Sequence, residues 1–247
     1  MSPETVAAGI AVAFLAALCQ SVTGFGFALV MTPLMALAWE PKLAVATSLL
    51  LSPISVSMML PEVRGRIPVS RVSVLFLGFL IGMPPGVVLL DRLDADALRI
   101  AIAAVVVVAA VLLYFAPGIT GQRDGFLIRL AVGAVSGAIG TSASMGGPPI
   151  VLYLINRERD IESFRATTLA LFLPTSLLAF GAAAIIGVVT ADVFVMVGVA
   201  IPSVVLGLLL GASLRRHVKP ERFRPLVLAV LVLTSASVFL SSSGALG

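Results

Sequence analysis

From Ile100 to Phe115 the chain uses only Ala, Val, Ile, Leu, Tyr and Phe, and a helix built from such residues is apolar on every side. Leu226 to Leu240 is likewise free of charge. A soluble protein needs a polar face on its surface helices, and these runs have none. They are long enough to cross a hydrocarbon core at ~20 residues each. In lipid, every backbone N–H and C=O must be satisfied internally, so a chain of such segments folds as a helical bundle. With 60% hydrophobic and 11% charged residues among 247, the sequence reads as an all-α integral membrane protein.

Hydropathy marks ten apolar segments: 5–23, 26–39, 42–60, 69–90, 97–115, 126–140, 146–155, 165–187, 191–213 and 224–242. Met1-Ser2-Pro3-Glu4 offers no basic residue of the kind that precedes a cleavable signal, so the first segment is expected to be retained. Cys19 is the sole cysteine and lies in an apolar run. It is read as a small buried hydrophobe, and neither an internal disulfide nor a Cys/His metal set can be built. No metal and no cofactor are expected.

Two of the segments are broken by glycine. Ser21-Val22-Thr23-Gly24-Phe25-Gly26 interrupts the first apolar stretch, and Thr141-Ser142-Ala143-Ser144-Met145-Gly146-Gly147-Pro148-Pro149 interrupts a second one 120 residues later. At that shift Thr47-Ser48 falls on Thr167-Thr168, and at a shift of 125 Gly82 and Gly86 fall on Gly207 and Gly211. Kept order and a single change of shift point to an internal duplication, with repeats at 1–118 and 119–247. Paired interruptions in corresponding halves are where transporters place their binding site.

Charge placement orients the copies. Residues 5–39 as one helix would reach ~52 Å, well beyond a ~30 Å core, so a hairpin is expected there. Each repeat then has five segments, an odd number, and the second copy is inverted. One face collects thirteen of the sixteen Lys and Arg residues, leaving Lys42, Arg92 and Arg99 on the other; parallel repeats would give eleven and five. The positive-inside rule favours the inverted arrangement, with both termini outside the cytoplasm. The net charge of +4 is thus read as a set of topology determinants, and no nucleic-acid partner is expected. The second arms, 26–39 and 146–155, span only ~21 and ~15 Å and should stop near the midplane.

The broken tips carry the chemistry. Gly24, Gly26, Gly146 and Gly147 permit positive φ and close approach of backbone to ligand, and Pro148 is suited to the start of a helix. A helix N-terminus presents unpaired N–H donors and partial positive charge, which binds anions without a basic side chain. Ser21, Thr23, Thr141, Ser142 and Ser144 add hydroxyls at the same two places; the competing use of such hydroxyls is to bond back to the carbonyl of the preceding turn. Phe25 and Tyr153 are expected as cavity walls, with Phe27 and Trp39 as further aromatic candidates and Trp39 better suited to the interfacial belt. Gln20, Thr47 and Thr167 are expected to support the contacts from behind.

Asp192 is the one carboxylate within these segments and stands at an edge, as do Lys42, Arg71, Arg99, Arg129, Arg165 and Arg224. A buried proton relay or a carboxylate cation site has no candidate, whereas anion recognition by backbone dipoles does. The basic runs Asn156-Arg157-Glu158-Arg159-Asp160 and Arg215-Arg216-His217-Val218-Lys219 are solvated connectors or a funnel for anions; His217 has no nucleophile or metal partner nearby in sequence. The stripes Gly78, Gly82, Gly86 and Gly207, Gly211 are read as packing or sliding surfaces between repeats rather than ligand contacts.

Ser21-Val22-Thr23-Gly24-Phe25-Gly26-Phe27 and Gly146-Gly147-Pro148-Pro149-Ile150-Val151-Leu152-Tyr153-Leu154 resemble the paired motifs of the sulfite exporter TauE/SafE family of bacterial membrane permeases, and the similarity runs through nearly the whole chain. Ser142-Ala143-Ser144-Met145 departs from a more glycine-rich stretch in relatives. The resemblance implies movement of sulfur-containing anions such as sulfite or sulfonates across the bacterial inner membrane. The expectation is a secondary transporter working by alternating access around a midplane anion site. Its partners are a small anionic substrate and membrane lipid; a coupled proton or sodium ion and a homodimer are compatible with it. The alternatives are a passive anion channel, a carrier of another small anion class such as carboxylates and, less favoured for want of clustered Asp, Glu or His, a membrane-embedded enzyme.

Overall fold

The computed structural model describes residues 1–115, 125–155, 157–158 and 160–215. The described residues form helices α1 (Pro3–Thr23), α2 (Phe27–Ala38), α3 (Pro41–Met59), α4 (Val69–Arg92), α5 (Ala95–Phe115), α6 (Phe126–Ala143), α7 (Gly147–Leu154), α8 (Ile161–Ile185) and α9 (Ala191–Arg215). Two short 3-10 turns, Leu60–Glu62 and Arg64–Arg66, join α3 to α4. The expected tenth segment, 224–242, lies outside the described residues, as do His217 and the basic run around it. Seven of the helices are long and apolar enough to cross a membrane. The other two are the short arms α2 and α7, which follow the glycine breaks.

Side-chain distribution along α4 explains why it sits where it does. Leu75, Gly78, Phe79, Gly82, Gly86 and Leu90 are buried at helical spacing, while Leu77, Leu80, Ile81, Val88 and Leu89 point outward. Both faces are apolar, and what marks the buried one is its glycine stripe, which lets a neighbouring helix approach closely between Leu75, Phe79 and Leu90. Gly78, Gly82 and Gly86 lie against the backbone of α6, and a Cβ on Gly82 would stand 1.8 Å from the Ala134 carbonyl oxygen. In the same way Gly207 and Gly211 of α9 lie against α1, where a Cβ would meet the Phe14 carbonyl at 2.5 Å and the Leu18 carbonyl at 2.8 Å. Both glycine stripes are therefore helix-packing surfaces that join the two halves of the sequence. A further contact between the halves sets α3 beside α8.

Helix boundaries match the hydropathy segments closely, with one correction. The eighth helix begins at Ile161, not 165, and so takes Glu162 and Arg165 into its first turns. Asp160 caps it by accepting from the backbone N–H of Ser163 at 2.8 Å and from its hydroxyl at 2.7 Å, and Arg165 has an ion-pair partner on another element, which hydropathy does not register. The hydroxyl and N–H of Ser163 hold the exposed Asp160 carboxyl below the usual carboxylate range. Glu40 caps α3 identically, through the N–H of Leu43 at 2.9 Å.

Candidate functional site

The first break lies between α1 and α2. Gly24 ends α1 in the left-handed conformation, φ 82°, with its N–H on the Gln20 carbonyl at 2.7 Å. Gly26, φ 98°, precedes α2 without a side-chain cap. Between them, Thr23 Oγ1 bonds to the Cys19 carbonyl at 2.8 Å and to the Phe25 carbonyl, and accepts from the Phe25 N–H at 3.3 Å. The tip rests on α8: Thr168 Oγ1 donates to the Gly24 carbonyl at 3.2 Å, and the rings of Phe25 and Phe164 meet edge to face at 5.8 Å. Gly24 has no room for a side chain, since a Cβ would stand 2.5 Å from Arg165 Cγ.

The second break lies between α6 and α7. Ser144 ends α6 at φ 62°, the single non-glycine residue with positive φ among the described residues. Its Oγ lies 3.1 Å from Ser48 Oγ on α3, and Ser136 Oγ donates to the Gly146 carbonyl at 2.7 Å. Helix α7 opens at Gly147 with Pro148 second, where a missing N–H leaves no ladder bond unmade.

Residues of both breaks line one cavity. Gly26 from the first, and Ser144, Gly146 and Gly147 from the second, face a space of ≈ 550 Å³ that includes its open mouth. Gln20, expected only as support, lines it directly. Hydropathy gave no signal for Ser52, Ser136, Thr175 and Ser176, which also line it, nor for the apolar walls Phe79, Met145 and Phe172.

The remaining expected residues lie behind this lining. Ser21 Oγ donates to the Leu208 carbonyl on α9 at 2.8 Å, and Ser142 Oγ to the Ala138 carbonyl at 2.8 Å. Thr167 Oγ1 donates to the Ser163 carbonyl at 3.0 Å. In this conformation the protons of these hydroxyls are directed at carbonyls. Thr47 and Thr141 are fully buried, with hydroxyls that have no hydrogen-bond partner. Tyr153 is buried, and the Arg157 guanidinium sits over its ring at 4.3 Å. Pro148 is buried in α7.

Charge gathers elsewhere, at the start of α8. The Arg165 side chain is fully buried and meets Glu62 at 3.3 Å and Glu162 at 3.8 Å. Glu62 also pairs with Arg215 at 3.0 Å, and Arg71 pairs with Glu158. Among the described residues, no group of Asp, Glu, His and Cys could hold a metal ion.

The chain finds a counterpart among known sequences. The family model described as "Sulfite exporter TauE/SafE" matches residues 9–238. The chain belongs to that family. It is a multi-pass membrane transporter of the sulfite-exporter TauE/SafE type, and the resemblance carried by its two glycine motifs holds over nearly its full length. A curated relative from Cupriavidus necator, named "Probable sulfite/organosulfonate exporter TauE", is 26% identical over 231 residues, covering 92% of this chain and 90% of the relative. No solved structure matches the chain.

Proposed function

We propose that the protein is a secondary transporter of small sulfur oxyanions, sulfite or organosulfonates, that binds its substrate between the two broken helices and works by alternating access in the bacterial inner membrane. The observation that carries this reading is the cavity shared by Gly26, Ser144, Gly146 and Gly147 in a chain of the TauE/SafE family. Helix starts supply N–H donors there, and no carboxylate lines the cavity to repel an anion. The family and the name of the Cupriavidus relative supply the substrate class.

Inverted repeats at 1–118 and 119–247 make the two-sided mechanism natural. Their support is local and repeated. The pairs α1/α6 end, α2/α7 begin and α3/α8 begin at a constant offset of 120 residues, and the caps Glu40 and Asp160 keep the same offset. The stripe contacts Gly82 to Ala134 and Gly207 to Phe14 are related by the same operation. The inverted orientation is supported by Glu62, just after α3, and Arg165, early in α8. Were each broken region a single crossing, these two would lie on opposite membrane faces; their 3.3 Å separation favours two hairpins entering from opposite sides. Thr168 and Ser48, which hold the tips, each stand ~10 Å into their helices, so the tips overlap around the midplane.

In this reading the cavity belongs to an outward-facing state. Its lining on α3, Leu49 and Ser52, is at mid-helix, its lining on α8, Phe172 to Ala179, lies more than a turn beyond Arg165, and the pairs of Glu62 with Arg165 and Arg215, and of Arg71 with Glu158, close the positive, cytoplasmic face. Opening that face exchanges these pairs for water, which hydrates Arg165, now fully buried, and Glu62, already 42% exposed. Both described ends of α1 and α9 then take the orientation that the positive-inside rule assigns.

Reconstitution tests it. Proteoliposomes should show saturable, trans-stimulated flux of labelled sulfite or a sulfonate. Flux without saturation or counterflow would mean a channel, and transport of carboxylates with no sulfur anion moved would overturn the substrate class.

A further inference from the structure

The two helix starts at the cavity are not equivalent. In α2 the first intrahelical acceptor is used by Val30, whose N–H bonds to the Gly26 carbonyl at 3.2 Å. The N–H groups of Gly26, Phe27, Ala28 and Leu29 therefore have no helical partner, and all four residues line the cavity. In α7 the corresponding positions include Pro148 and Pro149, which have no N–H to give. Donors are concentrated on the α2 side.

A buried amide faces the same space. Gln20, in the last turn of α1, is 1% exposed and lines the cavity. Its Oε1 accepts from Ser55 Oγ at 2.6 Å, so its NH2 is the end left without a protein partner. That NH2 opens on the cavity, where an oxygen of a bound ligand can take the place of water. Phe79, Met145 and Phe172 supply the apolar part of the lining, and the hydroxyls of Ser136, Thr175 and Ser176 beside them donate to backbone carbonyls.

We infer that the site has a polarity: the Gln20 NH2 and the first-turn N–H groups of α2 grip the oxygens of a sulfonate or sulfite headgroup, while a short organic tail lies against Phe79, Met145 and Phe172. Gln20 is then a specificity-determining residue, presenting only donors to a sulfonate headgroup, which has no proton of its own to share. This inference rests on the sulfur-oxyanion reading above and adds to it the orientation of the ligand.

Equilibrium binding of methanesulfonate and ethanesulfonate to the purified full chain tests it. Wild type should bind ethanesulfonate about fourfold more tightly, the worth of one buried methylene. Gln20→Met, close in shape but without donors, should weaken both at least tenfold, and Phe172→Ala should reduce the preference for the longer tail. Unchanged affinity in Gln20→Met, or ethanesulfonate bound no better than methanesulfonate by wild type, would overturn the inference while leaving the substrate class standing. Should Gln20→Met fail to fold, the comparison on wild type decides alone. Wild type that binds sulfite but neither sulfonate would overturn this inference alone, and wild type that binds none of the three would overturn the substrate reading with it.

Discussion

Gly24 and Ser144, 120 residues apart, end the first arm of each broken region in the same left-handed backbone conformation, φ 82° and 62°. Each is also gripped by the same position of the opposite half: Thr168 holds the Gly24 carbonyl, and Ser48 holds the Ser144 hydroxyl. Glycine is required at the first place because Arg165 fills the space a side chain would need. A serine stands at the second, where left-handed geometry opposes its Cβ by ~1 kcal/mol and the Ser48 contact offsets it.

Ser144→Gly is accordingly expected to be near-neutral for stability, within about 1 kcal/mol, because relief of the backbone and loss of one hydrogen bond oppose each other. Ser144→Val, β-branched and unable to use Ser48, should lower stability by about 2 kcal/mol or more. Thermal unfolding in detergent checks the pair.

The α4–α6 contact should fail on the smallest enlargement. Gly82→Ala places a methyl 1.8 Å from the Ala134 carbonyl oxygen, and with backbone on the other side the helices must separate, at about 1–3 kcal/mol or more. Gly181→Ala meets nothing within 4 Å and should be neutral or slightly stabilising. Equal melting temperatures for the two variants would contradict this packing.

Glu62→Gln should shift the balance toward the inward-facing state, since it removes the carboxylate shared by Arg165 and Arg215. Weakening charge-assisted hydrogen bonds at a partly exposed group amounts to about 2 kcal/mol. A cysteine introduced at Ala28 in a Cys19→Ala background should then react more slowly with a membrane-impermeant thiol reagent from outside. Unaltered labelling would separate these ion pairs from the gating step.

Glycine and proline made the breaks readable, because Gly24, Gly26 and Gly146 to Pro149 interrupt apolar runs that would otherwise continue as helix. The 120-residue offset followed from the same punctuation. What surrounds the cavity was much harder to read. Ser52, Ser136 and Ser176 sit singly inside apolar helices, and a sequence does not distinguish a hydroxyl facing a cavity from one bonded to the preceding turn. Gln20 was visible as the polar residue before the first break, yet its direct place in the lining depends on Ser55, 35 residues away. The pairing of Arg165 with Glu62 spans 103 residues, so hydropathy left Arg165 at a segment edge instead of fully buried within α8.

Ligand protection at both breaks tests the shared site most directly. In a Cys19→Ala background, Ala28→Cys marks α2, and Gly147→Cys marks α7, where the nearest atoms to a new Cβ are 3.7 Å away. Methanesulfonate should slow thiol labelling of both variants, with the same half-saturating concentration. Protection of one position alone, or of neither while the anion is still transported, would contradict a single site between the two broken helices.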